Sequence, residues 1–181
     1  KALRASIEDM AFRMELANRQ PEPVTAPPQP QTPSKMGHNR APQIAHVLFM
    51  DTVGFSKETT TSQAQLVDRL NQAVQASPTF IEAKEAYAVH PIPTGDGMAL
   101  LFYNDVLAPG RCAIEVTRAL QGAKKVPVRM GLHSGLVQTQ LDINGNENMV
   151  GEGINTAQRV MDFGDAGHIL LSLQYATWLQ Q

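Results

Sequence analysis

The stretch from His46 to Ser56, reading HVLFMDTVGFS, constrains this chain more than any other. Val47 to Met50 are apolar, Asp51 follows as a lone carboxylate, and Gly54 marks a turn immediately after it. An apolar run of this length bounded by a turn reads as a buried strand. A carboxylate at the end of such a strand needs either a following helix to cap or a cation to neutralise it. The residues after it, Thr52, Val53, Gly54, Phe55 and Ser56, make a glycine-containing turn whose backbone N–H groups suit phosphate oxygens.

A second carboxylate favours the cation. The segment Pro93-Thr94-Gly95-Asp96-Gly97 leads into Met98 to Phe102, which reads as a hairpin turn bearing Asp96 followed by an apolar strand. Two neighbouring strand ends that each offer a carboxylate can share one or two divalent ions.

Periodicity places the other elements. Leu66, Val67, Leu70, Ala73 and Val74 predict a helix over 63–76, extended towards Ala83 after a break at Pro78. Strands are predicted at Ala88–Ile92, Met98–Phe102, Val126–His133 and His168–Ser172, with a second hairpin joining Val137–Leu141 to Asn148–Val150 through Asn144-Gly145. Helices are predicted at Pro109–Leu120 and Gly153–Met161, and a short amphipathic stretch at Gln174–Leu179. The resulting βαββαβ order with antiparallel hairpins is an α+β, ferredoxin-like arrangement.

The catalytic unit predicted in this way spans residues 44–181. Ahead of it, Leu3, Ile7, Met10, Met14 and Ala17 recur at spacings of three and four, predicting an amphipathic helix over 1–20. Its stripe is short for a stable coiled coil, so packing on the domain is preferred to pairing with a second copy. Residues 21–43 are rich in proline with no apolar period, and read as a semi-extended spacer.

Composition narrows the partners. A hydrophobic share of 43% suffices for a sizeable core, and a net charge of −2 gives no basic field for nucleic acid. An anionic substrate must therefore be met locally, by metal and a few arginines. The single Cys112 excludes an internal disulfide framework and fits a reducing, cytoplasmic compartment. No apolar run reaches membrane-spanning length, and Lys1 heads an amphipathic stretch rather than a signal peptide.

Four blocks in fixed order carry a resemblance to a known family. FMDTVGFS, TGDGMALLF, VRMGLHSGLV at 128–137 and VGEGINTAQRVMDFGDAGHILLS at 150–172 resemble the catalytic domain of the class III nucleotidyl cyclases, the adenylate and guanylate cyclase superfamily. The resemblance implies conversion of a nucleoside triphosphate to a 3′,5′-cyclic nucleotide and pyrophosphate, at two-metal sites formed across a head-to-tail homodimer. It puts Asp51 and Asp96 at the metal positions, holding two divalent cations, Mg²⁺ or Mn²⁺. Asn155 matches a residue that orients the ribose, and Arg159 one that stabilises the transition state at the α-phosphate. Arg129 matches a phosphate-binding arginine, and the less favoured alternative is that it forms half of an edge-strand ion pair.

Base selection departs from the family pattern. The positions of the purine-reading Lys and Asp hold Ile92 and Asn148, so ATP leads on frequency within the superfamily, GTP follows, and pyrimidine triphosphates are a further alternative. A catalytically silent, dimeric nucleotide-sensing module is the rival reading, whereas the GG(D/E)EF loop of diguanylate cyclases is absent. The family also continues with strands carrying a phosphate-binding Lys, which predicts a shortened sheet edge here. His133 is assigned a structural role, Asp142, Asp162 and Asp165 turn or cap roles, and Arg111 and Arg118 solvent-facing positions.

Overall fold

A computed structural model of the chain describes residues 2–5, 41–121 and 126–180. In chain order these residues form β1 (Ala2–Ala5), β2 (Gln43–Thr52), α1 (Thr60–Gln75), α2 (Pro78–Glu85), β3 (Val89–Pro93), β4 (Gly97–Phe102), α3 (Ala108–Leu120), β5 (Val128–Leu141), β6 (Glu147–Val150), α4 (Glu152–Asp162), β7 (Ile169–Ser172) and α5 (Leu173–Trp178). The strands join in the order β1-β7-β5-β2-β4-β3, with β6 added to β5. Every pairing is antiparallel except β5 with β7.

Strand β2 is apolar on both faces because both faces are covered. Leu48 and Met50 enter a core with Leu70 and Val74 of α1, Phe80 of α2, Cys112 and Val116 of α3, and Tyr175 of α5. The alternate residues Ala45, Val47 and Phe49 face Ala157 and Met161 of α4. Alternation of side chains along a strand distributes the two sets to opposite sides.

Helix α4 lies so close to β5 that Gly131 has no room for a side chain. A Cβ there would stand 2.4 Å from both the Ala157 carbonyl oxygen and the Met161 nitrogen. The glycine thus fixes how deeply α4 seats on the sheet, and with it the position of the residues α4 exposes.

Three expectations are corrected. Ala2–Ala5 is a strand paired antiparallel with β7, from Ala2 opposite Ser172 to Ala5 opposite Ile169, so the helix expected over 1–20 does not begin there. The edge of β7 supplies backbone partners for these four residues, which outweigh local helical propensity there. Residues 6–20, and the spacer as far as 40, lie outside the described residues. The break expected between His133 and Val137 does not occur, because Ser134, Gly135 and Leu136 continue the ladder with His46, Ala45 and Ile44. Strand β5, finally, lies between β2 and β7 rather than at an edge. Among the described residues no helix is long and apolar enough to cross a membrane.

Candidate active site

The register of β2 brings the two singled-out carboxylates together. Asp51 lies opposite Gly97 of β4 on one side and Arg129 of β5 on the other. The next residue, Thr52, donates its N–H to the Asp96 carbonyl oxygen at 3.1 Å. Asp51 and Asp96 therefore stand at adjacent strand ends, at one rim of the sheet.

The turn that follows is narrower as an anion cradle than the sequence suggests. Thr52 N–H is engaged by Asp96, and Val53 N–H donates to the Pro127 carbonyl oxygen at 2.7 Å. The Thr52 side chain is itself buried, with Oγ1 lacking a partner among the described residues. Gly54, at φ 78°, turns the chain into a single 3-10 turn over Phe55–Lys57. The first amides of such a turn have no acceptor within it, which leaves Gly54, Phe55 and Ser56 as the part of the cradle that faces outward.

Arg129 grips Asp51 directly. Its Nε donates to Oδ1 at 2.9 Å and a terminal nitrogen to Oδ2 at 3.0 Å, a bidentate pair. The same terminal nitrogen lies 3.0 Å from Oδ1 of Asp162, and the other donates to the Asp162 carbonyl oxygen at 3.4 Å. The hydrogen bonding to Asp51, helped by the charges of Asp51, Asp162 and Asp96 and opposed by burial, raises the guanidinium pKa above its ordinary value. Asp162 was expected to be a turn or cap residue; it ends α4 and is instead the second acid of this ion-pair chain.

The donor set fits a hard divalent ion that keeps some of its ligands from elsewhere. Asp51 and Asp96 stand at adjacent strand ends and the charge of Asp96 is felt by Arg129, the partner of Asp51, while among the described residues no group of three or more His, Cys, Asp or Glu side chains could hold a metal ion. Mg²⁺ is commonly held in this way, by one or two carboxylates completed by water and substrate phosphate. Arg129 already gives Asp51 a cationic partner.

Asn155 and Arg159 stand one turn apart on α4 and are exposed, opposite the face that buries Gly153, Ala157 and Met161. Neither side chain makes a hydrogen bond or ion pair among the described residues. Ile92 and Asn148 are not brought together. Ile92, like Tyr103, Met149 and Ile154, packs against the core on the α4 side of the sheet, whereas Asn148 is exposed opposite Gln140. Since neighbours along a strand alternate, Met149 and Glu147 share a face that Asn148 does not.

Sequence reasoning missed a cleft that His90 helps to line. His90, Tyr103, Thr139, Glu147 and Met149 line a recess of about 190 Å³ between β3 and β6. His90 lies two residues before Ile92, hence on the same face, and that spacing is the signal that could have found it. Burial lowers the His90 pKa, with Glu147 opposing the shift.

The other histidines serve the framework. His133 is buried with Nδ1 2.9 Å from Ser172 Oγ, and His46 is buried with Nδ1 2.7 Å from Ser134 Oγ and its ring edge-on to Trp178. Burial lowers both pKa values below 6.5. The unfolded chain therefore takes up protons near pH 6.5 that the folded chain resists, so stability is constant above that pH and falls as pH drops through it. Thermal unfolding midpoints should be level from pH 8 to 7 and decline from pH 6.5 to 5; a midpoint that rises on acidification would contradict this burial. Asp142 accepts from the N–H groups of Asn144 and Asn146, as a turn aspartate does, while Arg111 pairs with Asp105 rather than with solvent alone.

With this geometry in place, comparison with known proteins gives a consistent result. No protein-family profile matches the sequence, and no curated protein does. Solved structures match the fold. The catalytic core of a rhodopsin-guanylyl cyclase with converted specificity, in complex with ATPalphaS, is 21% identical, with TM-score 0.65 over 80% of this chain and 85% of that one. The guanylate cyclase domain of RhGC from Catenaria anguillulae, in complex with GTP, is 21% identical, with TM-score 0.64 over 80% and 85%. An adenylate/guanylate cyclase/hydrolase from Silicibacter pomeroyi is 20% identical, with TM-score 0.57 over 79% and 83%. The chain has the fold of a class III nucleotidyl cyclase catalytic domain.

Proposed function

We propose that this chain is a nucleotidyl cyclase domain, which converts a nucleoside triphosphate to its 3′,5′-cyclic monophosphate and pyrophosphate at sites shared by two head-to-tail copies. The observation that carries the reading is the convergence of Asp51 and Asp96 at adjacent strand ends, beside an outward-facing turn. Two divalent ions held by these carboxylates would supply Lewis-acid activation of the ribose 3′-hydroxyl and neutralise the phosphates.

The remaining roles fall to this chain's own groups. Gly54, Phe55 and Ser56 offer backbone N–H groups to the β- and γ-phosphates, and Arg129 offers a guanidinium fork. Asn155 and Arg159, exposed and without side-chain partners among the described residues, reach the ribose and the α-phosphate of a site on the second copy. Arg159 acts where charge grows as the 3′-oxygen attacks phosphorus and pyrophosphate leaves. Ile92 supplies an apolar wall for the base, with ATP the leading substrate, then GTP.

A silent nucleotide-sensing module is the second reading, favoured by one observation, the occupation of Asp51 by Arg129. Assay of the purified protein with Mn²⁺ and each of ATP, GTP, CTP and UTP separates the two. Cyclic product from one or more of these is expected; binding of a triphosphate without product from any would establish the silent module.

A further inference from the structure

The ion-pair chain Asp51–Arg129–Asp162 has a role beyond framework. The register sets it: Asp51 and Arg129 are direct ladder partners on two interior strands, which brings the guanidinium within reach of the carboxylate. Both are well covered, with side-chain exposures of 13% for Asp51 and 24% for Arg129. Both Asp51 oxygens accept from Arg129. A divalent ion brought to that carboxylate would face a guanidinium at contact distance, and like charges so close repel strongly. Arg129 therefore has to leave Asp51 for the proposed site to load.

It has somewhere to go. Asp162, half exposed at the end of α4, already holds a terminal nitrogen of Arg129 at 3.0 Å. A guanidinium that turns from Asp51 towards Asp162 keeps a carboxylate partner and is never buried alone, which removes the large penalty for breaking such a pair. A triphosphate would offer it a further anion, matched to its fork geometry.

We infer that Arg129 is a resident counter-ion that occupies Asp51 in the metal-free site, and that Asp162 is the positioning residue that draws it off during loading. This rests on the reading of Asp51 as a metal-binding acid. A metal ion alone competes with Arg129 and binds poorly, whereas metal arriving with a triphosphate supplies the anion that retains Arg129. Binding of the two is consequently cooperative.

Mn²⁺ binding to the whole chain without nucleotide, followed by electron paramagnetic resonance of the free ion, tests this without any turnover. Arg129→Gln should tighten Mn²⁺ binding by about tenfold or more, the scale of a partly buried charge pair, and Asp51→Ala should abolish the gain. Arg129→Lys, which keeps the charge, should stay near the parent. Asp162→Asn should weaken Mn²⁺ binding several-fold in the parent and have no effect in the Arg129→Gln background, because its influence passes through Arg129. Unchanged or weaker binding in Arg129→Gln overturns the inference, as does an Asp162→Asn effect of equal size in both backgrounds. Should Arg129→Gln not fold, the parent background suffices: Asp162→Asn binding Mn²⁺ as tightly as the parent overturns it. Failure of the cyclase reading is distinguishable, since it would appear as absent cyclic product with the Mn²⁺ pattern intact.

Discussion

Asp51→Ala and Asp96→Ala are each expected to lower cyclic nucleotide formation by roughly 10³-fold or more, the consequence of losing several kcal/mol of charge stabilisation. The fold should survive both changes. Removing the Asp51 carboxylate leaves Arg129 paired with Asp162, so no buried charge is stranded. Asp96 holds Thr52 through its carbonyl oxygen, which alanine retains. Unaltered far-ultraviolet circular dichroism together with lost turnover is therefore the expected pair of measurements. Turnover within tenfold of the parent in either variant would remove these acids from the chemistry.

The second large effect belongs to α4. Arg159→Ala is expected to reduce turnover by about 10²–10³, which is what removal of one well-placed group facing transition-state charge costs, about 2.7–4 kcal/mol. Asn155→Ala should act in the same direction. Both side chains are exposed and make no side-chain bond among the described residues, so thermal midpoints should stay with the parent, as surface substitutions usually do. A loss of activity accompanied by a comparable loss of stability would instead make these residues part of the framework.

Local pattern was sufficient for the elements that carry these groups. Strand β2 was legible because both of its faces are covered, which writes an unbroken apolar run, and α4 because Ala157 and Met161 repeat at helical spacing. The glycines of β5 misled in one place, since Ser134-Gly135 resembles a turn while in fact it continues the ladder with β2. At the N-terminus Ala2–Ala5 pair along the β7 edge, an interaction with residues more than a hundred positions away, where the apolar spacing predicts the start of a helix.

The site was legible in its parts and not in its connections. Asp51 and Arg129 were both singled out, yet nothing short-range indicates that they pair, because their contact depends on the register of β2 with β5. Asp162 looked like a helix-end residue and is one; its second role needs the same register. Ile92 and Asn148 were treated as one base-reading pair, whereas strand alternation places Met149 and Glu147, rather than Asn148, on the face that Ile92 and His90 share.

Sharing of each site between two copies is tested most directly by mixing. Asp51→Ala and Arg159→Ala, each strongly impaired alone, are combined in equal amounts under conditions of proven subunit exchange. Random pairing makes about half of the dimers mixed, each with one intact site, so about a quarter of parental activity should return. No recovery above the two separate variants would contradict a site built from both copies.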